Sequence, residues 1–191
     1  WATMNVGATT VAGSYETCYG DYYAWGETEP RYITITRTAP DAATIICNYG
    51  YSNSYMPTYS DSPLDATHDA ATVNWGSTWR MPTKEEFCAL AKACSGSDNG
   101  SQAPIDIELL NAITKGGIYW LNSTQTVEPS YTGVAGLLFV SASDISKRIF
   151  FPACGNLDGT SLKNGGTYGC YWSSWSYTNK YYEDADNGAR L

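Results

Sequence analysis

Apolar residues recur along this chain in short runs, and the spacing within each run predicts a helix or a strand. The clearest helical run has apolar members at i, i+3, i+4 and i+7, namely Phe87, Leu90, Ala91 and Cys94. Thr83 and Glu86 stand at the S/T-x-x-E spacing of a capping box, in which each residue's side chain satisfies a free backbone N–H of the other. The pattern therefore predicts an amphipathic helix that ends near Ser95.

Two further helices are predicted from weaker signals. Residues 69–76 form a short helix in which Asp69 is the N-cap and Gly76 the closing glycine. Residues 105–114 carry an apolar stripe at helical spacing before the glycines at 116–117, and the stripe consists of Ile105, Leu109 and Ile113. We expect this second segment to be an inserted helix.

Short runs of apolar, β-branched and aromatic residues predict the strands. They fall at residues 1–8, 33–36, 44–46, 118–121, 136–140, 148–151 and 171–174. Residues 22–25 fit either a strand or an aromatic turn, and residues 143–147 fit a turn that joins two strands into a hairpin. The rest of residues 28–66 is an irregular excursion. With no linker in evidence, the pattern predicts one α+β domain spanning residues 1–191, with short helices around small antiparallel sheets and long irregular loops.

Composition adds an aromatic character to this picture, since the chain holds 16 tyrosines and 7 tryptophans. We expect most of the tryptophans in the core and about half of the tyrosines at the surface. The net charge of −8 would repel phosphate backbones and anionic membrane surfaces. Apolar runs are too short for a membrane helix. Nucleic acid and membrane insertion are therefore not expected.

The cysteines do not follow a zinc pattern, because no Cys-x-x-Cys pair occurs and His68 is the only histidine. An even count of six in a chain poor in lysine favours an oxidising compartment with disulfides. The same residues also suit small buried apolar positions. Six cysteines allow 15 pairings, and the choice among them stays open.

Catalytic residues are not expected. His68 sits in a loop leading into a helix, and no serine has the Gly-x-Ser-x-Gly surroundings of a nucleophile. Cys88 and Cys94 lie within or at the end of a helix rather than at its start, where a thiol pKa falls. Surface solvation is the simpler interpretation of the scattered carboxylates Asp21, Glu27, Glu29 and Asp41.

The C-terminal segment combines rigid rings with short hydrogen-bonding side chains, which is the composition of antibody-type recognition surfaces. The predicted ligand-binding residues are Trp175, Tyr177, Asn179, Tyr181, Tyr182, Asp184, Asp186 and Asn187. A polar hairpin with an aromatic cross-strand pair is the plainer alternative. Residues 183–188 also cluster oxygen ligands of the kind calcium prefers, although a solvated acidic turn explains them equally. No other cofactor or metal is expected.

Several segments, taken in order, resemble the Fibrobacter succinogenes major paralogous domain family. They are WATMNVGA at 1–8, GDYYAWGE at 20–27, DAA at 69–71, WG at 75–76, WRMPT at 79–83, EF at 86–87, IFFPA at 149–153, Gly155 and YWSS at 171–174. The resemblance implies a C-type-lectin-like fold related to the formylglycine-generating enzymes and to the variable proteins of diversity-generating retroelements. It also implies that Trp25, Trp75, Trp79 and Trp172 belong to the framework.

Members of this family occur mostly in surface or secreted proteins of Bacteroidetes and in some phages. The related variable proteins carry their ligand face just after the Tyr-Trp-Ser-Ser strand, which is where residues 175–187 lie here. Three departures stand out: C-terminal strands of the family are missing, residues 97–117 look inserted, and Cys154 and Cys170 replace small or aromatic residues. A Cys154–Cys170 bridge would fit this placement.

The expected function is therefore a non-catalytic ligand-binding module on a bacterial cell surface or phage particle. It would recognise a protein or glycan through its aromatic and polar C-terminal face, together with loops of residues 20–29, as a monomer or a homo-oligomer. The alternative is a structural or assembly subunit of a surface appendage or virion. An oxidase of the formylglycine-generating type ranks last.

Overall fold

A four-stranded sheet lies at the centre of the computed structural model, which describes residues 1–47, 63–95, 105–106, 113–124, 131 and 133–175. The helices are α1 (Tyr15–Cys18), α2 (Ala70–Trp75) and α3 (Lys84–Ser95). The strands are β1 (Tyr32–Ala39), β2 (Ala42–Cys47), β3 (Ile105–Asp106), β4 (Gly117–Leu121), β5 (Gly136–Val140), β6 (Arg148–Pro152), β7 (Asn156–Asp158) and β8 (Ser161–Lys163). Short helices and small, mainly antiparallel sheets make this an α+β structure, as the sequence predicts.

The central sheet has the order β3-β4-β5-β6, in which only the β3–β4 pair is parallel. Leu138 lies opposite Tyr119 on β4 and Phe150 on β6, so these three side chains share one face. Phe139 is paired with Ile118 and Ile149 and therefore points to the other face.

Both faces of the sheet are covered. Tyr119, Leu138 and Phe150 pack with Ala12, Cys18 and Tyr19 of the N-terminal segment in the larger core cluster. Ile118 and Phe139 pack with the apolar stripe of α3 in a smaller cluster. Burial on two sides explains why β5 is a continuous apolar run without alternation. Gly136 begins that strand because a Cβ there would overlap the Phe151 carbonyl and the Phe150 ring.

The helix termini agree with the predicted capping signals. The Thr83 backbone N–H donates to the Glu86 carboxylate at 2.9 Å, and the Glu86 N–H donates to the Thr83 hydroxyl at 3.2 Å, which completes the capping box. Asp69 caps α2 by accepting from the Thr72 N–H at 2.9 Å. Gly76 ends that helix with a φ of 93°, a conformation that suits glycine.

The strands predicted at 33–36 and 44–46 are confirmed as β1 and β2, which form an antiparallel hairpin. The predicted hairpin of β5 and β6 is also confirmed, with a turn near Asp144 between the strands. The hairpin of β7 and β8 was not predicted, because its strands are only three residues long.

Three predicted elements are wrong. Residues 1–8 form bends and turns, and residues 171–174 form no strand. The backbone of residues 171–174 bonds to segments that are not strands. The Leu64 N–H donates to the Ser174 carbonyl, and the Ser174 N–H donates to the Pro82 carbonyl. Burial, rather than sheet pairing, accounts for the apolar character of that segment. The predicted helix at 105–114 begins instead with strand β3, and residues 107–112 lie outside the described part of the chain.

In the described ranges, no helix is long and apolar enough to cross a membrane.

Candidate functional site

A cleft of about 960 Å³ lies between the N-terminal segment, α2 and the segment around Trp172. Five of the seven tryptophans line it, namely Trp1, Trp25, Trp75, Trp79 and Trp172. None of the seven is fully buried, so the expectation that most tryptophans fill the core is wrong. We call this site the aromatic cleft. Its volume is at the upper end of the roughly 300–1,000 Å³ typical of small-molecule sites.

Two indoles fix the floor of the aromatic cleft by reciprocal hydrogen bonds. The Trp25 Nε1–H donates to the Ser173 carbonyl at 2.8 Å, and the Trp172 Nε1–H donates to the Tyr23 carbonyl at 2.9 Å. Each indole therefore closes a contact across about 150 residues of chain. Both bonds join the segment around Trp172 to residues 23–25.

Asp69 positions the wall that carries Trp75 and Trp79. Its carboxylate is 2% exposed and accepts from the Met81 N–H at 2.8 Å as well as from Thr72. The Thr72 hydroxyl in turn donates to the Trp79 carbonyl at 2.8 Å. These bonds hold the loop after α2 against the start of that helix.

Trp75 and Trp79 meet at a corner, with ring centroids 5.4 Å apart and planes inclined at 69°. They remain exposed by 36% and 41% of their surface. Trp1, which also lines the cleft, is 51% exposed and packs on Phe87 at 5.3 Å between ring centroids. Three partly exposed indoles thus border one concave surface, where each presents apolar area beside a polar N–H.

Both arginines of the cleft are held in ion pairs. Arg80 donates two hydrogen bonds to the two Glu86 oxygens, at 2.7 and 2.5 Å. Arg31 pairs with Glu27. The Arg80 hydrogen bonds, with that from the Thr83 N–H, lower the pKa of Glu86 to about 2. The Arg80–Glu86 pair is therefore charged on both sides near neutral pH, and the two charges offset each other.

Asp21 is held by tyrosine hydroxyls, and the Tyr32 hydroxyl donates to it at 2.6 Å. Burial raises the pKa of Tyr32 and of Tyr23 above the ordinary value, and the Asp21 carboxylate raises both further. Burial likewise raises the pKa of Tyr22, whose hydroxyl donates to the Cys154 carbonyl at 2.7 Å. These phenols therefore stay neutral hydrogen-bond donors at physiological pH.

The predicted C-terminal site falls largely outside the described residues. Of its eight members only Trp175 is described; it is partly buried, forms an isolated bridge to Pro63 and does not line the aromatic cleft. The other seven lie beyond residue 175, as does the calcium candidate at 183–188. Within the described ranges, no cluster of three His, Cys, Asp or Glu side chains is arranged to hold a metal ion. His68 pairs with Asp65 in a partly exposed turn, at 2.8 Å.

All six cysteines lie in described segments and no disulfide joins any of them, so Cys154 and Cys170 are not bridged. Burial, with Cys154 nearby, raises the pKa of Cys18 to about 12. Burial also raises the pKa of Cys154 to about 11. Neither thiol therefore carries the depressed pKa of a reactive cysteine.

We expect an aromatic disulfide reagent at pH 8 to label exposed Cys88 rapidly in the native protein. Cys18, Cys94 and Cys154 should react only when the chain unfolds, because they are buried. Peptide mapping after timed labelling measures this order, and urea-unfolded protein is the control in which all thiols react. Labelling of native Cys154 as fast as Cys88 would contradict the described packing.

Sequence reasoning missed the aromatic cleft, although it singled out most of its residues. The tryptophans of the motifs at 20–27, 69–76 and 79–83 were assigned to the framework, and only the loops at 20–29 were expected to contact a ligand beside the C-terminal segment. The available signal was the number of tryptophans within short glycine-bounded motifs, which is higher than a core requires. Comparison of the chain with protein-family models, with curated proteins and with solved structures gave no match.

Proposed function

We propose that this chain is a non-catalytic ligand-binding module with a C-type-lectin-like fold, displayed on a bacterial cell surface or a phage particle. The observation that carries the proposal is the aromatic cleft, in which five indoles from distant parts of the chain border one concave surface. Large exposed rings cost hydration free energy unless a ligand covers them, so their concentration at one site favours recognition as the role.

The cleft is preorganised for contact. Two of its five indoles, Trp25 and Trp172, are fixed by hydrogen bonds to the backbone. Its arginines are held by carboxylates. A ligand would therefore order few side chains on binding, which reduces the entropic cost of association. In this proposal the cleft is the principal contact surface, and residues 175–187 are a second one.

A structural or assembly subunit is the second candidate. Ile33 and Ile46 on the β1–β2 hairpin are 66% and 52% exposed, and such side chains suit a contact with a neighbouring chain. Sedimentation of the wild type and of Ile33→Ser distinguishes the two candidates, because only an assembly subunit should associate through this hairpin. The oxidase alternative is disfavoured by the high pKa values of the buried thiols.

A binding screen tests the proposed function. The labelled protein is applied to an array of neutral and acidic glycans and to a displayed peptide library. We expect saturable binding to members of one set, and its loss in the double variant Trp75→Ala, Trp79→Ala. Tyr168→Ala is the matched control, since this ring is 46% exposed and lies outside the cleft. Saturable binding that survives the double variant, or no binding to either set, would contradict the proposal.

A further inference from the structure

The shape, charge and size of the aromatic cleft indicate the class of ligand that it would bind. We propose that it binds a neutral oligosaccharide, whose sugar rings stack on the corner formed by Trp75 and Trp79. This inference rests on the proposed function and names its ligand class.

The corner geometry fits a ring-shaped ligand with one apolar face. The planes of Trp75 and Trp79 are inclined at 69°, so a sugar that stacks on one indole meets the edge of the other. The C–H face of a pyranose is apolar and matches the electron-rich face of an indole, while its hydroxyls point outward. Trp1, which lines the same cleft and is 51% exposed, offers a further stacking surface for a neighbouring sugar.

The electrostatics of the cleft disfavour an anionic ligand. Arg80 is held by both oxygens of Glu86, and Arg31 is paired with Glu27. A phosphate, sulfate or carboxylate group would have to compete with these carboxylates for the guanidinium groups, and the protein's net charge of −8 would oppose its approach. Asp21 is similarly engaged by the Tyr32 hydroxyl.

Hydroxyl-rich ligands suit the remaining polar groups. A carboxylate has about four lone-pair sites and a guanidinium five N–H groups, so a fixed Arg80–Glu86 pair still offers directed donors and acceptors to hydroxyls. Thr3, Thr78 and Thr160 add exposed hydroxyls among the residues lining the cleft. Sugar hydroxyls donate and accept at once and can bond to both kinds of group.

The size of the cleft indicates more than one sugar unit. About 960 Å³ is three times the roughly 300 Å³ at the lower end of small-molecule sites. Trp1 and the Trp75–Trp79 corner would then contact different sugar units of the same oligosaccharide. We therefore expect affinity to rise from a monosaccharide to a hexasaccharide.

The test is a titration of tryptophan fluorescence and heat with four probes at moderate salt. They are linear hexasaccharides of glucose, mannose and xylose, and hexagalacturonate as the anionic counterpart of similar length. We expect saturable binding of at least one neutral hexasaccharide, weaker binding of its monosaccharide, and none of hexagalacturonate. Trp79→Ala should weaken binding about tenfold or more through loss of the stacking surface. Trp79→Phe, which keeps a ring, should recover most of the affinity.

Tyr168→Ala is the matched control and should bind as the wild type does. Thermal unfolding of each variant separates loss of the contact from loss of the fold. Stronger binding of hexagalacturonate, binding unchanged in Trp79→Ala, or no binding of any neutral hexasaccharide would overturn the inference. Peptide binding in the screen, lost with the two cleft indoles, would overturn the saccharide assignment and leave the proposed binding function standing.

Discussion

Replacing Leu138 with alanine should lower the free energy of unfolding by about 2–5 kcal/mol, the range for large-to-small changes at buried leucines. Leu138 is 0% exposed and lies on β5, between Tyr119 and Phe150 of the neighbouring strands. These neighbours are held in the sheet ladder, so the cavity can close only in part. The loss should therefore combine the transfer free energy of the deleted carbons with the cost of the cavity.

Urea unfolding followed by circular dichroism measures this effect. Ile33→Ala is the control, because Ile33 is mostly exposed on the β1–β2 hairpin and its truncation should cost about 0.5 kcal/mol or less. Leu138→Met keeps the volume and should cost less than about 1.5 kcal/mol. Equal losses in Leu138→Ala and Ile33→Ala would contradict the placement of the core.

Replacing Asp69 with alanine should cost about 2–4 kcal/mol. About 1 kcal/mol comes from the lost N-cap of α2, and about 1–3 kcal/mol from leaving the Met81 N–H without its acceptor. Because these bonds also hold the loop of Trp79, the same change should weaken ligand binding in the cleft.

Asp69→Asn should recover part of the loss, since an amide supplies one acceptor oxygen where the two N–H groups use both carboxylate oxygens. Asp65→Ala is the matched control. Asp65 accepts from the Thr67 N–H at 2.8 Å in a similar local turn, but its side chain is 61% exposed. The control should cost much less than Asp69→Ala, because water replaces the lost bonds. A larger loss for Asp65→Ala than for Asp69→Ala would contradict this interpretation of the α2 wall.

Elements that are determined by residues close together in the sequence could be predicted from local signals. The capping box at Thr83 and Glu86 fixes where α3 begins, because both partners lie within one turn. The apolar runs of β5 and β6 are recognisable because a strand buried on both faces is apolar at every position.

Other elements depend on partners that the sequence does not place next to them. Residues 171–174 resemble a strand because burial selects apolar and small side chains. Their backbone groups nevertheless bond to Leu64 and Pro82 rather than to a sheet. Ile105 shows the converse: it belongs to an apolar stripe at helical spacing, but it pairs with β4 as a short strand.

The candidate site was the least predictable part, because it is assembled across the chain. Trp1, Trp25, Trp79 and Trp172 are far apart in sequence and meet only after folding. The composition of the C-terminal segment and the family resemblance predicted that aromatic side chains of this segment bind a ligand. The prediction for residues 175–187 stays open. The aromatic cleft, by contrast, is a site that no local motif specifies.

A crystal structure of the protein grown with the tightest-binding neutral hexasaccharide tests the central claim most directly. We expect a sugar ring stacked on Trp79 or Trp75, with hydroxyls within hydrogen-bond distance of Arg80 or Glu86. A saccharide bound elsewhere on the surface, with the two indoles left uncovered, would contradict it.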